Sequence, residues 1–453
     1  MFLLLTFTNR NRYNMCMNIN NLNGTSKLIK KIQSYSNGQT VVTGDIPNIA
    51  IINSVDVPAS KNLVDNVKLG VHAAKGNAAI FNVAGFGYLN KINPMTAKYA
   101  ESFRKTAASN AEAILKTNMI DGAVIVTDCD ITAAGILLGC LRANVPALIL
   151  PTGTAKTDFE NLRLSGSVRK GKINAQESEE QLSKTSAIHG QSEQLNSVSS
   201  FFMLCETVGL AVRGASANPR NSGLQLRAAA ATGEQIVSMA KDLLSPKKFL
   251  TKDAAQKAAN ATVATDGDIG AFDQFAKLLT ANDVKLTDNF FATAAGNMTK
   301  PTKIVFAKGT VCESSYIQYS ENTPGQFSGK AWVYPNLEDA DKALLSGSIS
   351  EGVVVVHNCV DINITALAYT IEGLERADKI ALATDGYCDK TSVLTVTLAR
   401  PSSFDNEEFA NIQTSDHLEI DLARGRFNTS VLAKDQKLRA KRNTTPKPTT
   451  YFN

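Results

Sequence analysis

Two patterns of apolar spacing divide the chain. From Ile46 to Gly153, short unbroken apolar runs alternate with longer stretches of helical period. "NIAIINS", "NAAIFNVAG", "GAVIVTD" and "PALILPTG" have the length and continuity of strands buried on both faces. Between them lie "SKNLVDNVKLGVHAAKG", which stops at Gly76, the alanine-rich "MTAKYAESFRKTAASNAEAILKTN", and "ITAAGILLGCLRAN". Their apolar residues recur at three- and four-residue intervals, which predicts helices. Strand alternating with helix argues for a parallel sheet covered on both faces. Polar residues dominate 156–194, and four helical stretches follow: Ser197–Ala211, Leu224–Leu244, Thr251–Thr265 and Ile269–Ala281.

From Pro301 the period changes. "TKIVFAKGTV", "GKAWVYP", "GVVVVHN", "KIALATDG", "SVLTVTLAR" and "HLEIDLARGRF" read as strands separated by turns, with helices only at "NLEDADKALLSG" and "ITALAYTIEGLER". The expected fold class is therefore α/β. An N-terminal α/β domain (46–300), with a parallel sheet and helices on both faces, precedes a smaller C-terminal, mostly-β, barrel-like domain (301–430). Residues 1–45 form a variable, Asn-rich lead-in with one helix expected near Ser26–Tyr35. Residues 431–453 form a basic tail, expected to be disordered.

Composition narrows the function classes. The net charge of +5 is small for 453 residues and is concentrated in that tail, where six Lys and Arg face one acid, Asp435. A solvated terminus explains this better than a nucleic-acid arm. The opening "MFLLLTF" is apolar for seven residues, too few for a signal-peptide core or a membrane span, and Met17 is an alternative start. Seven scattered cysteines without a CxxC pair fit reduced thiols, hence a cytoplasmic protein with neither nucleic-acid nor membrane partner. Four histidines, none at i,i+4 from another, argue against a histidine metal site. "GSVRKGKI" from Gly166 nearly matches a phosphate-binding loop, but Ile173 stands where a magnesium-binding hydroxyl is needed. Asn297 heads a glycosylation triplet without a secretory context.

One junction carries chemistry. Cys129-Asp130 follows the strand "GAVIVTD", and in open α/β sheets ligands gather beyond the carboxyl ends of the strands. A thiolate there can ligate iron, and a carboxylate can hold a hard cation. The plain alternative is a small buried thiol beside a helix cap.

The surrounding segments resemble the dihydroxy-acid dehydratase and phosphogluconate dehydratase family. "DGAVIVTDCD" with "GILLGCLRANVPALILPTGTA" is similar to that family's D-G-L-V-L-I-x-x-C-D-K, glycine-containing helix and L-N-I-P strand. "KYAESFRKTAASNAE", "SVRKGKINAQESEEQL", "ETVGLAVRGASANPR" and "AATGEQIVSMAKDLLSPKKFLT" follow in the family's order. "EDADKALLSGSISEGVVVV" and "RADKIALATDG" fit its β domain, so the resemblance covers about residues 45–430. It implies a homodimeric iron–sulfur hydro-lyase that eliminates water from a small 2,3-dihydroxy acid or sugar acid in branched-chain amino acid biosynthesis. It assigns Cys129 to an iron–sulfur cluster, Asp130 to Mg2+, and Asp389 to the place of the catalytic serine base.

Other family positions are substituted. Ile131 stands for the lysine of C-D-K. Ala59, in "PASKNL", stands for the first cluster cysteine, and Ser192, in "GQSEQ", for the third. "VAGFG" lacks the family's metal aspartate, the substrate loop reads "DGDIG" from Asp266, and "HNCVDIN" replaces the R-Y-E-G-P segment. Cys205 lies about thirteen residues beyond Ser192, up to about 20 Å along a helix, too far to replace it. Cys140 belongs to an apolar helix face; Cys359 and Cys388 lie near strand ends of the β domain. The iron–sulfur cluster and Mg2+ are thus implied by resemblance but expected to be lost or incomplete. Three readings remain: a working dehydratase, a catalytically inactive binding or regulatory protein, and a divergent enzyme using one cation or none.

Overall fold

The structure of the protein is a computed structural model. The structure describes residues 46–55, 57–155, 163–184, 195–284, 303–312, 315–320, 323–359, 362–389, 391–398 and 407–442. The helix expected near Ser26–Tyr35, Ser192, Asn297 and the junction after residue 284 lie outside them.

The first domain follows the alternation in its sequence. β1 (Asn48–Asn53), β2 (Asn77–Asn82), β3 (Gly122–Thr127) and β4 (Ala147–Pro151) form a sheet in the order β2-β1-β3-β4, every pair parallel. Successive strand residues alternate faces, which yields two cores. Ile49, Ile51, Val124, Val126, Leu148 and Leu150 pack on one side with Val67, Val71, Ile236 and Val237. Ala50, Ile52, Ala123, Ile125, Ala147 and Ile149 pack on the other with Ile136, Leu137, Phe201 and Phe202. Each buried Val, Ile or Leu contributes about 1.5–3 kcal/mol before conformational entropy is charged against it.

Helix α1 (Val57–Ala73) crosses the 19-residue helix Gly223–Lys241 at two glycines, Gly70 and Gly233. A methyl group at Gly70 would overlap the Ala230 carbonyl, and one at Gly233 the Val67 carbonyl. Gly70→Ala should therefore lower stability by about 2 kcal/mol despite its better helix propensity. Urea unfolding measures this, and an unchanged or higher midpoint would show that the helices can separate freely.

β1 connects to β2 on one side and has β3 on the other, so the chain leaves their carboxyl ends in opposite directions. The crevice that this opens is where α/β sheets bind ligands. Short helix α2 (Tyr88–Ile92) lies in the β2–β3 crossover, ahead of α3 (Ala100–Thr117), and α4 (Asp130–Ala143) leaves β3. Cys129 is the N-cap of α4, in extended conformation, and makes no side-chain capping bond.

The second domain is an eight-stranded sheet in the order β12-β11-β7-β8-β9-β10-β6-β5. Its strands are β5 (Ile304–Ala307), β6 (Ser315–Gln318), β7 (Gln326–Tyr334), β8 (Gly352–Val356), β9 (Ile380–Thr384), β10 (Thr395–Leu398), β11 (His417–Asp421) and β12 (Arg426–Thr429). β7 to β10 are mutually parallel, and the flanking pairs are antiparallel. The two ends meet through the bridge Lys308–Arg426, where Lys308 N–H donates to the Gly425 carbonyl at 3.0 Å. The sheet thus curls into a nearly closed barrel filled by Ile317, Val353, Val355, Leu394, Val396, Leu418 and Phe427. The expected α/β fold with a barrel-like second domain is what forms.

Three differences arise. Within the polar stretch after 156, helices form at Leu164–Arg169 and Ala175–Lys184. Gly166 lies inside the first, and Lys170 and Lys172 pair with Glu375, so this run forms no phosphate loop. β6 has no counterpart in the predicted strands. In the tail expected to be disordered, Ala433–Arg442 is helical. Arg439 anchors it by a two-pronged pair with Asp416, at 2.5 and 3.0 Å. A basic run reads as solvated unless its docking partner is known, and Asp416 is a distant partner in a turn before β11.

Candidate functional site

Where the crevice beyond β3 meets the barrel, the structure buries a cluster of charged and hydroxylated side chains. Tyr88 and Lys91 lie three residues apart on α2, hence on one face. Asp130 opens α4, Ser197 opens the helix Ser197–Thr207, Asp268 caps the helix Ile269–Ala281, and Asp389 comes from the loop after β9. Lys91, Asp130, Ser197 and Asp268 are 0 % exposed, which makes their mutual pairing the central energetic question.

The Lys91 ammonium lies 2.6 Å from Asp130 Oδ2 and also donates to Ser197 Oγ. It stands 5.3 Å from the centroid of the Tyr387 ring, close enough for a cation–π contribution. Burial alone would discharge it. The carboxylates of Asp130 and then Asp389 outweigh that effect and hold its pKa above the ordinary lysine value.

Asp389 is fastened from both domains. Its Oδ2 accepts from the Tyr88 hydroxyl at 2.7 Å and its Oδ1 from Asn363 Nδ2 at 2.9 Å, while its N–H donates to Thr365 Oγ1 at 2.6 Å. Asn363 Oδ1 in turn accepts the Thr365 N–H at 2.8 Å. Burial, and next the charge of Asp389, raise the Tyr88 hydroxyl pKa, so Tyr88 is a standing donor. Burial, followed by Asp389, holds the Asp268 carboxyl well above the usual carboxylate range. Its Oδ1 accepts the Gly270 N–H at 2.8 Å, and its own N–H donates to Ser200 Oγ at 3.0 Å.

Three residues singled out from sequence thus share this cluster: Cys129, Asp130 and Asp389. The Cys129 Sγ lies 3.7 Å from Asp130 Oδ1, and burial, then the Asp130 charge, push its thiol far toward the protonated form. Ile131 packs in a small apolar group with Phe86, Ala100 and Cys129. Ala59 falls within α1; its side chain, like all of Ser192, lies outside the described residues. Cys140 and Cys205 sit in the core of the first domain, and burial raises both thiols, Cys140 to about 12. Cys359 and Cys388 belong to the apolar layer outside the barrel.

Whether these donors suit a cluster and a divalent ion is a matter of chemistry. Iron–sulfur clusters take thiolates, usually four, whereas of the three cluster positions that the resemblance assigns only Cys129 keeps its sulfur, with Ala59 and Ser192 at the other two. A magnesium ion needs free carboxylate oxygens with room for water, whereas Asp130 is engaged by an ammonium. Among the described residues no three His, Cys, Asp or Glu side chains are placed to hold a metal. The residues present do not fit the groups that the sequence resemblance implies.

Sequence reasoning missed Tyr88, Lys91, Ser197, Asp268, Asn363 and Thr365. The only nearby signals were "VAGFG", just ahead of Lys91, and "DGDIG", which contains Asp268. Both segments draw the eye to what they lack, not to what stands beside them.

Comparison with known proteins agrees with the fold. Residues 47–287 match the family described as dihydroxy-acid/6-phosphogluconate dehydratase N-terminal, and residues 293–453 its C-terminal counterpart. The chain belongs to the dihydroxy-acid/6-phosphogluconate dehydratase family. It is 24% identical over 212 residues to a dihydroxy-acid dehydratase of Syntrophotalea carbinolica, covering 44% of this chain and 38% of that protein. It is 27% identical over 232 residues to one of Clostridium pasteurianum (48% and 81%), and 29% over 237 residues to one of Methanococcus maripaludis strain C6 (49% and 43%). The matched stretch spans less than half the length of most such relatives, from 38% to 46% for the first four. No helix among the described residues is long and apolar enough to cross a membrane.

Proposed function

We propose that this protein is a diverged member of the hydro-lyase family in which cluster-dependent water elimination has been lost. The site has become a structural ion-pair core, and the chain serves as a cytoplasmic homodimer that binds a small hydroxy acid without dehydrating it. The observation that carries the proposal is the Lys91 ammonium, 2.6 Å from the Asp130 carboxylate. In water elimination a hydroxide leaves and an α-proton is taken, and a metal assists the leaving group as a Lewis acid. A single cysteine without the family's other two, and a carboxylate already paired with an ammonium, make no ligand set for that metal.

A second reading rests on Asp389. Its side chain accepts hydrogen bonds from Tyr88 and Asn363, with the Lys91 ammonium among its neighbours. Such a pair could remove an α-proton and protonate a leaving hydroxyl without metal.

One preparation separates the two. Protein purified anaerobically should be colourless, with substoichiometric iron, and should form no 2-keto acid from a panel of 2,3-dihydroxy and sugar acids. A hydroxy acid should nevertheless raise its melting temperature. A brown protein that dehydrates, and loses colour in Cys129→Ala, would overturn the proposal. Turnover by colourless protein, abolished by Asp389→Asn, would establish the metal-free reading instead.

A further inference from the structure

We propose that Lys91 is a tethered cation: its ammonium fills, for Asp130 and the neighbouring acids, the electrostatic place of a divalent ion, and it excludes such ions from the native pocket. The inference rests on the reading that the metal centre is lost, and it names what replaced it. The groups facing the ammonium come from four separate parts of the chain: Cys129 and Asp130 at the end of β3, Ser197 on the following helical layer, Asp268 before its helix, and Asp389 with Tyr387 from the barrel. Together they bring three buried carboxyl groups to one place. In a medium this dry, such groups repel strongly unless a cation stands among them or protons neutralise them.

Three observations fit this substitution. Lys91 is fully buried, which a lysine tolerates only when firmly paired. Its short helix α2 follows "VAGFG", the segment that lacks a carboxylate of its own, so α2 brings a positive charge where a negative ligand is missing. Ile131, beside Asp130, packs against Phe86 and Phe103 and contributes no charge, leaving the ammonium as the cation on Asp130. Removing it should expose Asp130 and the Ser197 hydroxyl, with space for water. One or two carboxylates with retained water is how magnesium and manganese are commonly bound.

The test uses Mn2+ as probe, with calorimetry and melting curves, on the full chain. Wild type should bind no Mn2+ at millimolar concentration and show the same melting temperature in EDTA as in MnCl2. Lys91→Ala should melt lower in EDTA and recover several degrees in millimolar Mn2+ or Mg2+, as mass action requires of a ligand bound only by the folded state. Lys91→Ala combined with Asp130→Asn should lose that recovery. If Lys91→Ala is unfolded in EDTA, refolding in MnCl2 reads the same property. The inference is overturned if Lys91→Ala neither binds Mn2+ nor is rescued by it, or if wild type binds Mn2+ in a manner that Asp130→Asn abolishes. Iron and turnover in wild type are read separately, so failure of the proposed function is distinguishable from failure of this inference.

Discussion

Lys91→Met is expected to lower folding stability by about 3–5 kcal/mol, the usual consequence of removing one partner of a buried ion pair. The methionine keeps most of the volume, so the loss reports charge rather than a cavity. Asp130 would then stand at 0 % exposure without its ammonium, and Ser197 would lose its donor. Urea unfolding of Lys91→Met, Asp130→Asn and the double variant measures the coupling. The double variant should cost much less than the sum of the singles, because each single leaves an unpaired group behind. Additive losses, or a Lys91→Met cost below about 1 kcal/mol, would mean that the pair is solvated as surface pairs are.

The second large effect is a pH dependence centred on His357, at the end of β8. Burial lowers its pKa to about 4, only partly offset by a hydrogen bond that the ring donates to the Ile412 backbone carbonyl, and the ring stands edge-on to Phe409 at 4.9 Å. An unfolded histidine takes up its proton near pH 6.5. Between about pH 6.5 and 4 the unfolded chain therefore holds a proton that the folded chain refuses, and stability falls as pH falls through that window. The loss should reach about 2–3 kcal/mol at the lower end. Carboxyl groups titrate in the same range, so the informative quantity is a difference. His357→Gln should flatten the curve of unfolding free energy against pH between 6.5 and 4 relative to wild type. Parallel curves for the two proteins would contradict the assignment.

The architecture was far more legible in the sequence than the site. Doubly buried strands announce themselves as unbroken apolar runs, so β1, β3 and β4 could be placed within a residue or two. Their alternation with helices dictated the parallel sheet. β6 escaped because "SSYIQYS" is short and polar at its ends, and its burial comes from pairing with β5 and β10. The helix Ala433–Arg442 escaped because its anchor, Asp416, is a tertiary partner. In the site, Cys129, Asp130 and Asp389 could be named because resemblance supplied positions for them. Lys91 could not, since the family pattern offers only what stands at a ligand position, and this ammonium arrives from a neighbouring helix. A lysine in "GYLNKINP" looks like any exposed lysine until the fold buries it.

The central claim is that an ammonium, and no metal, sits on Asp130. The most direct measurement is a crystal structure of anaerobically prepared, iron-supplemented protein with anomalous differences collected at the iron edge. The predicted result is Lys91 Nζ within about 3 Å of Asp130 Oδ2 and no anomalous peak at Cys129 Sγ. An iron peak within bonding distance of that sulfur, with Lys91 turned away from Asp130, would contradict it.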